Sequence, residues 1–236
     1  MISELQTAVE STLGRNIAGA ASTIPHLQAV TLKDLSDAFE YAGLIHLASY
    51  PYRFEISGYW PEAGAVYVGN GFGLCSNYYD IGACNQERSA RGLEYVLAVS
   101  YTREMLTSIW TFESLGFARS EHEEYVFTDL QLGWNYRNDN PDEDDFYWPK
   151  VRDSIIAPLV WRRLHWNATA QKILVSGECS GEPKFQEVLK QAVSDILPAG
   201  VPIFQADPLY SAAKGSAEFA KQVAYVYNKT GKCCQL

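Results

Sequence analysis

Two apolar runs with strand character, Tyr95–Tyr101 and Met105–Phe112, are separated only by Thr102-Arg103-Glu104. Three polar residues cannot carry a chain away and back, so the two runs pair as an antiparallel hairpin. A third run of this kind, Tyr125–Leu130, follows, and Ile173–Val175 reads as a short buried strand.

Helical patterns surround these strands. Residues 3–14 place Leu5, Val9, Thr12 and Leu13 on one side, and Gly14 ends the segment. Thr31 is an N-cap for a helix carrying Leu35, Ala38, Phe39 and Ala42 at helical spacing and stopped by Gly43. Leu44–Ala48 reads as a short strand, and Ile17–Ile24 is β-tolerant up to Pro25. Pro61 opens a small-residue helix ending at Gly69, Gly71 and Gly73. Asn138–Asp145 is expected to be an acidic loop, and Trp148–Leu164 a helix with a kink at Pro158. Lys184–Leu197 is amphipathic, with Phe185, Val188, Leu189, Ala192 and Ile196 inward, and Pro208–Tyr227 is a last helix rich in alanine. Strands mixed with long helices argue for an α/β fold.

Composition narrows the partners. With 19 Lys+Arg against 28 Asp+Glu the formal net charge is −9, which repels phosphate backbones and argues against nucleic acid. No stretch approaches the roughly 18 uncharged apolar residues of a membrane span, and residues 1–14 lack the apolar segment of a secretory signal. The expectation is a cytoplasmic protein without an integral membrane segment. The five cysteines, Cys75, Cys84, Cys179, Cys233 and Cys234, are odd in number and scattered, so reduced thiols are expected. The terminal Cys-Cys-Gln-Leu has the outline of a prenylation box without its aliphatic middle positions. His26, His46, His122 and His165 have no ligand spacing, and no metal is expected. Gly69–Gly73 follows a helix rather than a strand, so it reads as a helix C-cap, not a phosphate loop.

The last third carries a resemblance. Lys172–Leu189, "KILVSGECSGEPKFQEVL", and Asp207–Lys221, "DPLYSAAKGSAEFAK", resemble the adenosine-side segment and closing helix of the seventy-kilodalton heat-shock chaperones. Asp34–Leu44, Trp60–Leu74 ("WPEAGAVYVGNGFGL") and Thr128–Trp134 ("TDLQLGW") resemble further chaperone segments, and Glu94–Ile109 occupies the place of the phosphate-binding hairpin. The chain is similar to the divergent heat-shock-like proteins of filamentous fungi. The resemblance implies a reduced actin-like ATPase (ribonuclease-H-like) fold without its N-terminal phosphate-loop segment and its mobile helical lobe. It further implies residues 1–92 as a remnant of the first half-domain and 93–236 as the second, together one compact unit.

The resemblance also implies lost ATP chemistry and no cofactor. Tyr101, Thr102 and Arg103 fill the hairpin's glycine positions, where bare amides must approach phosphate. Val99 and Leu106 stand where the family has metal-organising aspartates, and Trp60 where it has a glutamate before proline. Trp60, Tyr101, Trp134 and Tyr136 fall at the family's nucleotide cleft, within a chain that is 13% aromatic. Two accounts of these rings stand side by side. They plug an obsolete cleft, or they line a pocket for a hydrophobic small molecule with Arg103, Glu104, Asp129 and Glu178 as polar groups. The second account implies a cofactor-free cyclase or isomerase of fungal secondary metabolism, of Diels–Alder type. Its catalytic groups are Arg103, Tyr101, Glu104 and Glu178, and Trp60, Thr102, Trp134, Tyr136 and Ser176 bind the substrate. The first implies a pseudo-ATPase binding or scaffold module. A homodimer is compatible with either.

Overall fold

A computed structural model describes residues 2–25, 27, 30–47, 60–113, 126–137, 141–163 and 169–230. The architecture is mixed α/β, built on a five-stranded mixed sheet. The expected hairpin is its centre: β5 (Glu94–Tyr101) and β6 (Leu106–Glu113) are antiparallel, with Tyr101 opposite Leu106. The loop between them is closed by the Thr102 amide donating to the Met105 carbonyl at 3.0 Å. On the far side of β6 lies antiparallel β7 (Val126–Asp129). On the far side of β5 lie β8 (Lys172–Ser176) and β9 (Ile203–Phe204), both parallel additions. The order is therefore β7-β6-β5-β8-β9.

Both faces of the sheet are covered, which is why β5 reads as an almost unbroken apolar run. One face packs on α5 (Pro141–Arg163) and α6 (Pro183–Ser194). There Leu97, Val99, Tyr101 and Trp110 meet Trp148, Val151, Ile155, Phe185 and Leu189. The other face packs on α3 (Glu62–Gly69) and α7 (Ser211–Thr230). There Val96, Ala98, Ile109 and Leu174 meet Trp60, Ala65, Val66 and Phe219. This second core joins residues on both sides of position 92, so no packing boundary falls there. The α3–α7 crossing is close because glycines line it. A Cβ on Gly215 would sit 1.8 Å from the Ala65 carbonyl oxygen, and one on Gly69 would sit 1.9 Å from that of Ser211.

The smaller elements follow local chemistry. α1 (Ile2–Leu13) buries none of its residues, and Gly14 leaves it at φ +64°. Thr31 caps α2 (Leu32–Tyr41) through a capping box with Asp34. β1 (Gly19–Ala20) pairs in parallel with β3 (Ile45–His46), and β2 (Thr23–Ile24) with β4 (Trp60–Pro61). The "GNGFG" stretch is the C-terminal turn of α3, with Gly71 at φ +85°. A helix absent from the sequence reading, α4 (Ile81–Ala90), starts where Asp80 Oδ1 accepts the Ala83 amide at 3.0 Å. β9 was likewise not anticipated, being only two residues long.

Two expectations are corrected. Pro141–Asp145 form the first turn of α5 instead of a loop, since proline suits the first helical position. The helix runs through both Pro149 and Pro158. Cys75 and Cys84, expected as free thiols, are joined in a disulfide, because α4 turns the chain back and brings their Cα atoms to 5.3 Å. A disulfide is characteristic of oxidising compartments, so this pair lends no support to a cytoplasmic location. Among the described residues, no helix is long and apolar enough to cross a membrane. The prenylation box and His26, His122 and His165 lie outside the described residues, as do positions 138–140 of the acidic loop.

Candidate functional site

Strand register builds one unusual feature on the α3 side of the sheet. Ser176 of β8 lies beside Ser100 of β5, Ser100 lies opposite Thr107 of β6, and Thr107 lies opposite Thr128 of β7. Four hydroxyl side chains thus form a file across four strands that are otherwise largely apolar. Ser100, Thr107 and Ser176 are buried, and the hydroxyls of Thr107 and Thr128 are 3.4 Å apart. The file lies at the carboxyl ends of the parallel strands β5 and β8, the edge where open α/β sheets present ligand sites.

Over this file stands Glu62, the first residue of α3. Its position is dictated upstream. Thr23 Oγ1 donates to the Trp60 carbonyl at 2.9 Å, and β4 pairs with β2. The Trp60 indole is fully buried against Phe219, with ring centroids 4.8 Å apart. Pro61 then turns the chain into the helix, and Glu62 enters the space above the strand ends. Ser100 Oγ donates to Glu62 Oε1 at 3.0 Å, and Ser176 Oγ donates to the same oxygen at 3.3 Å. A small cavity of about 10 Å³, room for about one water, adjoins the carboxyl, lined by Glu62, Ala63, Val66, Ala98, Val99, Ser100, Thr107, Ile109 and Ser176.

The electrostatics of this carboxyl set opposing effects against each other. Enclosure by protein raises its pKa, the two serine hydroxyls lower it, and the charge of Glu178 raises it. A helix N-terminus also favours the ionised form. The net direction is upward, so enclosure wins and Glu62 holds its proton above the ordinary carboxyl range. No Lys, Arg or His lines the pocket. A carboxyl whose proton affinity is raised is a group of the kind used in general acid–base work.

Of the residues singled out from the sequence, only Ser176 lines this pocket. Trp60 and Tyr101 are separated by the sheet. Trp60 packs on the α3–α7 side, while the Tyr101 ring is stacked on Phe185 at 4.3 Å on the α5–α6 side. The Tyr101 hydroxyl pairs with that of Tyr147 at 3.0 Å, and Tyr147 donates to the Leu132 and Gly133 carbonyls. Both rings are packing elements because strand alternation sends residues 100 and 101 to opposite faces.

The remaining candidates gather at the hairpin tip. The Arg103 amide donates to Glu178 Oε1 at 3.0 Å, and Asn135 Nδ2 donates to Glu104 Oε1 at 2.7 Å. Thr102 closes the loop through its hydroxyl, which accepts from the Met105 amide at 3.1 Å. Its carbonyl takes the Trp134 amide at 3.0 Å. Trp134 lies under the Arg137 guanidinium, 4.3 Å from its ring centre, and Tyr136 is exposed. Asp129 turns to the Gln131 amide. These groups make a largely exposed cluster at the hairpin tip. Gly177 fits there because its φ is +97° and a Cβ on it would lie 2.3 Å from the Tyr101 carbonyl oxygen. The adjacent Cys179 is buried and its thiol is pushed up by enclosure and then by Glu178, which makes it a poor nucleophile. Among the described residues, no group of three or more His, Cys, Asp or Glu could hold a metal ion.

Glu62, Ser100 and Thr107 were missed in the sequence. The signal was present: Ser or Thr recurs near the strand ends in "VLAVSY", "LTSIWTF", "VFTD" and "KILVS". Against known proteins, the chain matches no protein-family model and no curated protein.

Proposed function

We propose that this chain is a nucleotide-independent small-molecule enzyme, a cofactor-free cyclase or isomerase acting on a hydrophobic metabolite. We further propose that it carries a degenerate actin-like ATPase fold of the fungal heat-shock-like kind. The fold reading draws support from the sheet: a three-strand antiparallel meander, then two parallel strands added beside the first, as in a ribonuclease-H-like half-domain. The site reading draws support from one observation, the enclosed Glu62 carboxyl oriented by two serine hydroxyls inside a pocket.

The chemistry asked of the pocket is modest. In a Diels–Alder-type closure two carbon–carbon σ bonds form as two π bonds are consumed, and no atom enters or leaves. A hydrogen bond from neutral Glu62 to a carbonyl conjugated with the reacting alkene polarises that alkene. One preorganised donor of this kind is worth roughly 3 kcal/mol, about a hundredfold in rate. Glu62 takes the donor role that the sequence suggested for Arg103, whose side chain is exposed at the hairpin tip. The cavity is far smaller than the roughly 300–1,000 Å³ usual for whole ligands, so on this reading the side chains over Glu62 move apart to admit the reacting end of a substrate.

The test is conversion at constant mass. Purified chain is incubated with a panel of conjugated polyene–enone compounds, and products are separated by chromatography with mass detection. Isomeric products are expected with the wild type and at least tenfold less with Glu62→Ala. Equal conversion by both proteins, or none by either, overturns the enzyme reading.

A second reading, a non-catalytic pseudo-ATPase binding module, is favoured by the packing of Trp60 and Tyr101, which leaves no aromatic ring on the pocket wall. It expects pocket ligands to bind and leave unchanged.

A further inference from the structure

The stretch between α3 and β5 is fastened unlike the rest of the chain. It leaves α3 through Gly71 and Gly73, both at positive φ, runs without helix or strand to Asp80, forms α4 and enters the sheet at Glu94. Neither sheet core includes a residue between 75 and 93. Among the described residues of that range, only Cys75 and Cys84 are buried, and they are the two joined by the disulfide. On α4 itself Ala83, Gln86, Ser89 and Ala90 are exposed. A helix of ten residues with a glycine in its first turn does not hold its shape in water unaided.

The remaining ties are of two kinds. Within the stretch, Arg91 donates to the Leu74 carbonyl and pairs with Glu87 at 2.5 Å, and Glu87 accepts the Ser76 amide at 2.9 Å. Such pairs at the surface contribute little, because water competes for both partners. Towards the body of the protein, the Tyr225 hydroxyl of α7 donates to the Tyr79 carbonyl at 3.1 Å. Its ring stands edge-on to those of Tyr78 and Tyr79, at 5.7 and 4.8 Å. The covalent bond thus does for this stretch what burial of apolar side chains does for the sheet and its helices.

We propose that the Cys75–Cys84 bond is a redox switch for α4: its reduction by a dithiol releases residues 76–90 and their contact with Tyr225, while both sheet cores stay folded. The electrons come from the dithiol. Its thiolate attacks one sulfur, a mixed disulfide forms, and the other cysteine leaves as a thiolate that takes a proton. The second thiol of the reductant then closes its own disulfide and frees the first cysteine. Two cysteine thiols and one reductant disulfide result. Because Cys75 and Cys84 are 9% and 6% exposed, attack waits on a local opening of the stretch. Once the bond is cut, only the surface pairs and the tyrosine contact draw α4 back. Reoxidation restores it.

The experiment follows amide hydrogen exchange of the full chain, oxidised and after dithiothreitol, with intact mass confirming the gain of two hydrogens. Exchange in α4 is expected to quicken about thirtyfold or more on reduction, the effect of lifting a loop restraint of this size. Exchange in β5, β6 and β8 should change by less than about threefold, since their protection reflects the cores. Oxidised glutathione should return α4 to slow exchange. Cys75→Ser with Cys84→Ser should match the reduced wild type without any reductant, which separates loss of the bond from other effects of the dithiol. Oxidised Tyr225→Ala should keep α4 protected to within about threefold. Unchanged α4 exchange on reduction, or a bond that dithiothreitol leaves intact in the folded chain, overturns the proposal. So does loss of protection in the core strands together with α4, or a double serine variant that fails to fold, because the bond is then a staple of the whole chain. Release of α4 in oxidised Tyr225→Ala as complete as that on reduction also overturns it, and assigns the fastening to the tyrosine contact.

Discussion

Ser176 on β8 stands directly beside Ser100 on β5, in register across a parallel pair, and the two hydroxyls converge on one carboxyl oxygen of Glu62. Each hydroxyl stabilises the ionised form of Glu62. Replacing either by alanine should therefore raise the Glu62 pKa further. Each substitution should also cost about 1 kcal/mol of stability. Carboxyl ¹³C titration by NMR together with denaturant unfolding checks both effects, and a lowered Glu62 pKa in Ser100→Ala would contradict the geometry.

His46 gives the chain an acid-side weakness. Its ring is buried, stacked on Phe39 at 4.3 Å and bonded to Ser22 at 2.8 Å, and enclosure holds its pKa down to about 4. A depressed folded value means stability that is present above the ordinary histidine range and lost as pH falls. The loss should run from about pH 6.5 down to about 4. Urea midpoints measured across that window should fall for the wild type and fall less for His46→Gln.

Glu113 acts on the opposite side. It is fully buried, its Oε2 has no hydrogen-bond partner, and enclosure raises its pKa well above the usual carboxyl range. A raised folded value means stability that is complete below the ordinary carboxyl pKa and declines as pH rises towards the folded one. Above about pH 4.3 the stability of the wild type relative to Glu113→Gln should fall as pH rises, whatever slope His46 adds to both. Stability that climbs with pH through this range in the wild type, then loses that climb in Glu113→Gln, would reverse the sign.

The disulfide closes a short loop. Cys75 and Cys84 are nine residues apart, and a loop of that size restricts the unfolded chain by roughly 2–3 kcal/mol. Cys75→Ser with Cys84→Ser should lower the melting temperature by several degrees. Intact-mass measurement with and without reductant should show a two-hydrogen difference in protein purified from an oxidising compartment.

The α3–α7 crossing tolerates no side chain at Gly215, where a Cβ would lie 1.8 Å from the Ala65 carbonyl oxygen. Backbone cannot yield as a flexible side chain can. Gly215→Ala should cost at least the 1–3 kcal/mol typical of overpacking, although alanine is the better helix former.

The sequence by itself determined the local elements. The Thr31 cap, the Gly71 turn, the hairpin at Thr102–Met105 and the inward face of α6 are all written in residues a few positions apart, because capping, turn geometry and helical period are short-range effects. It also determined that residues 100 and 101 face opposite ways, since alternation is intrinsic to a strand. Tertiary structure alone decided which of those faces holds the pocket. The resemblance puts Tyr101 and Trp60 at one cleft, but the layers packed on the sheet place them on opposite sides, each sealed in a core. Glu62 was an ordinary surface-type residue in the sequence. Its altered proton affinity exists only because β5 and β8 pair in register and α3 is laid over their ends, bringing residues 38 and 114 positions apart into contact. The Cys75–Cys84 bond had the same status. Two scattered cysteines became partners only when α4 turned the chain back on itself.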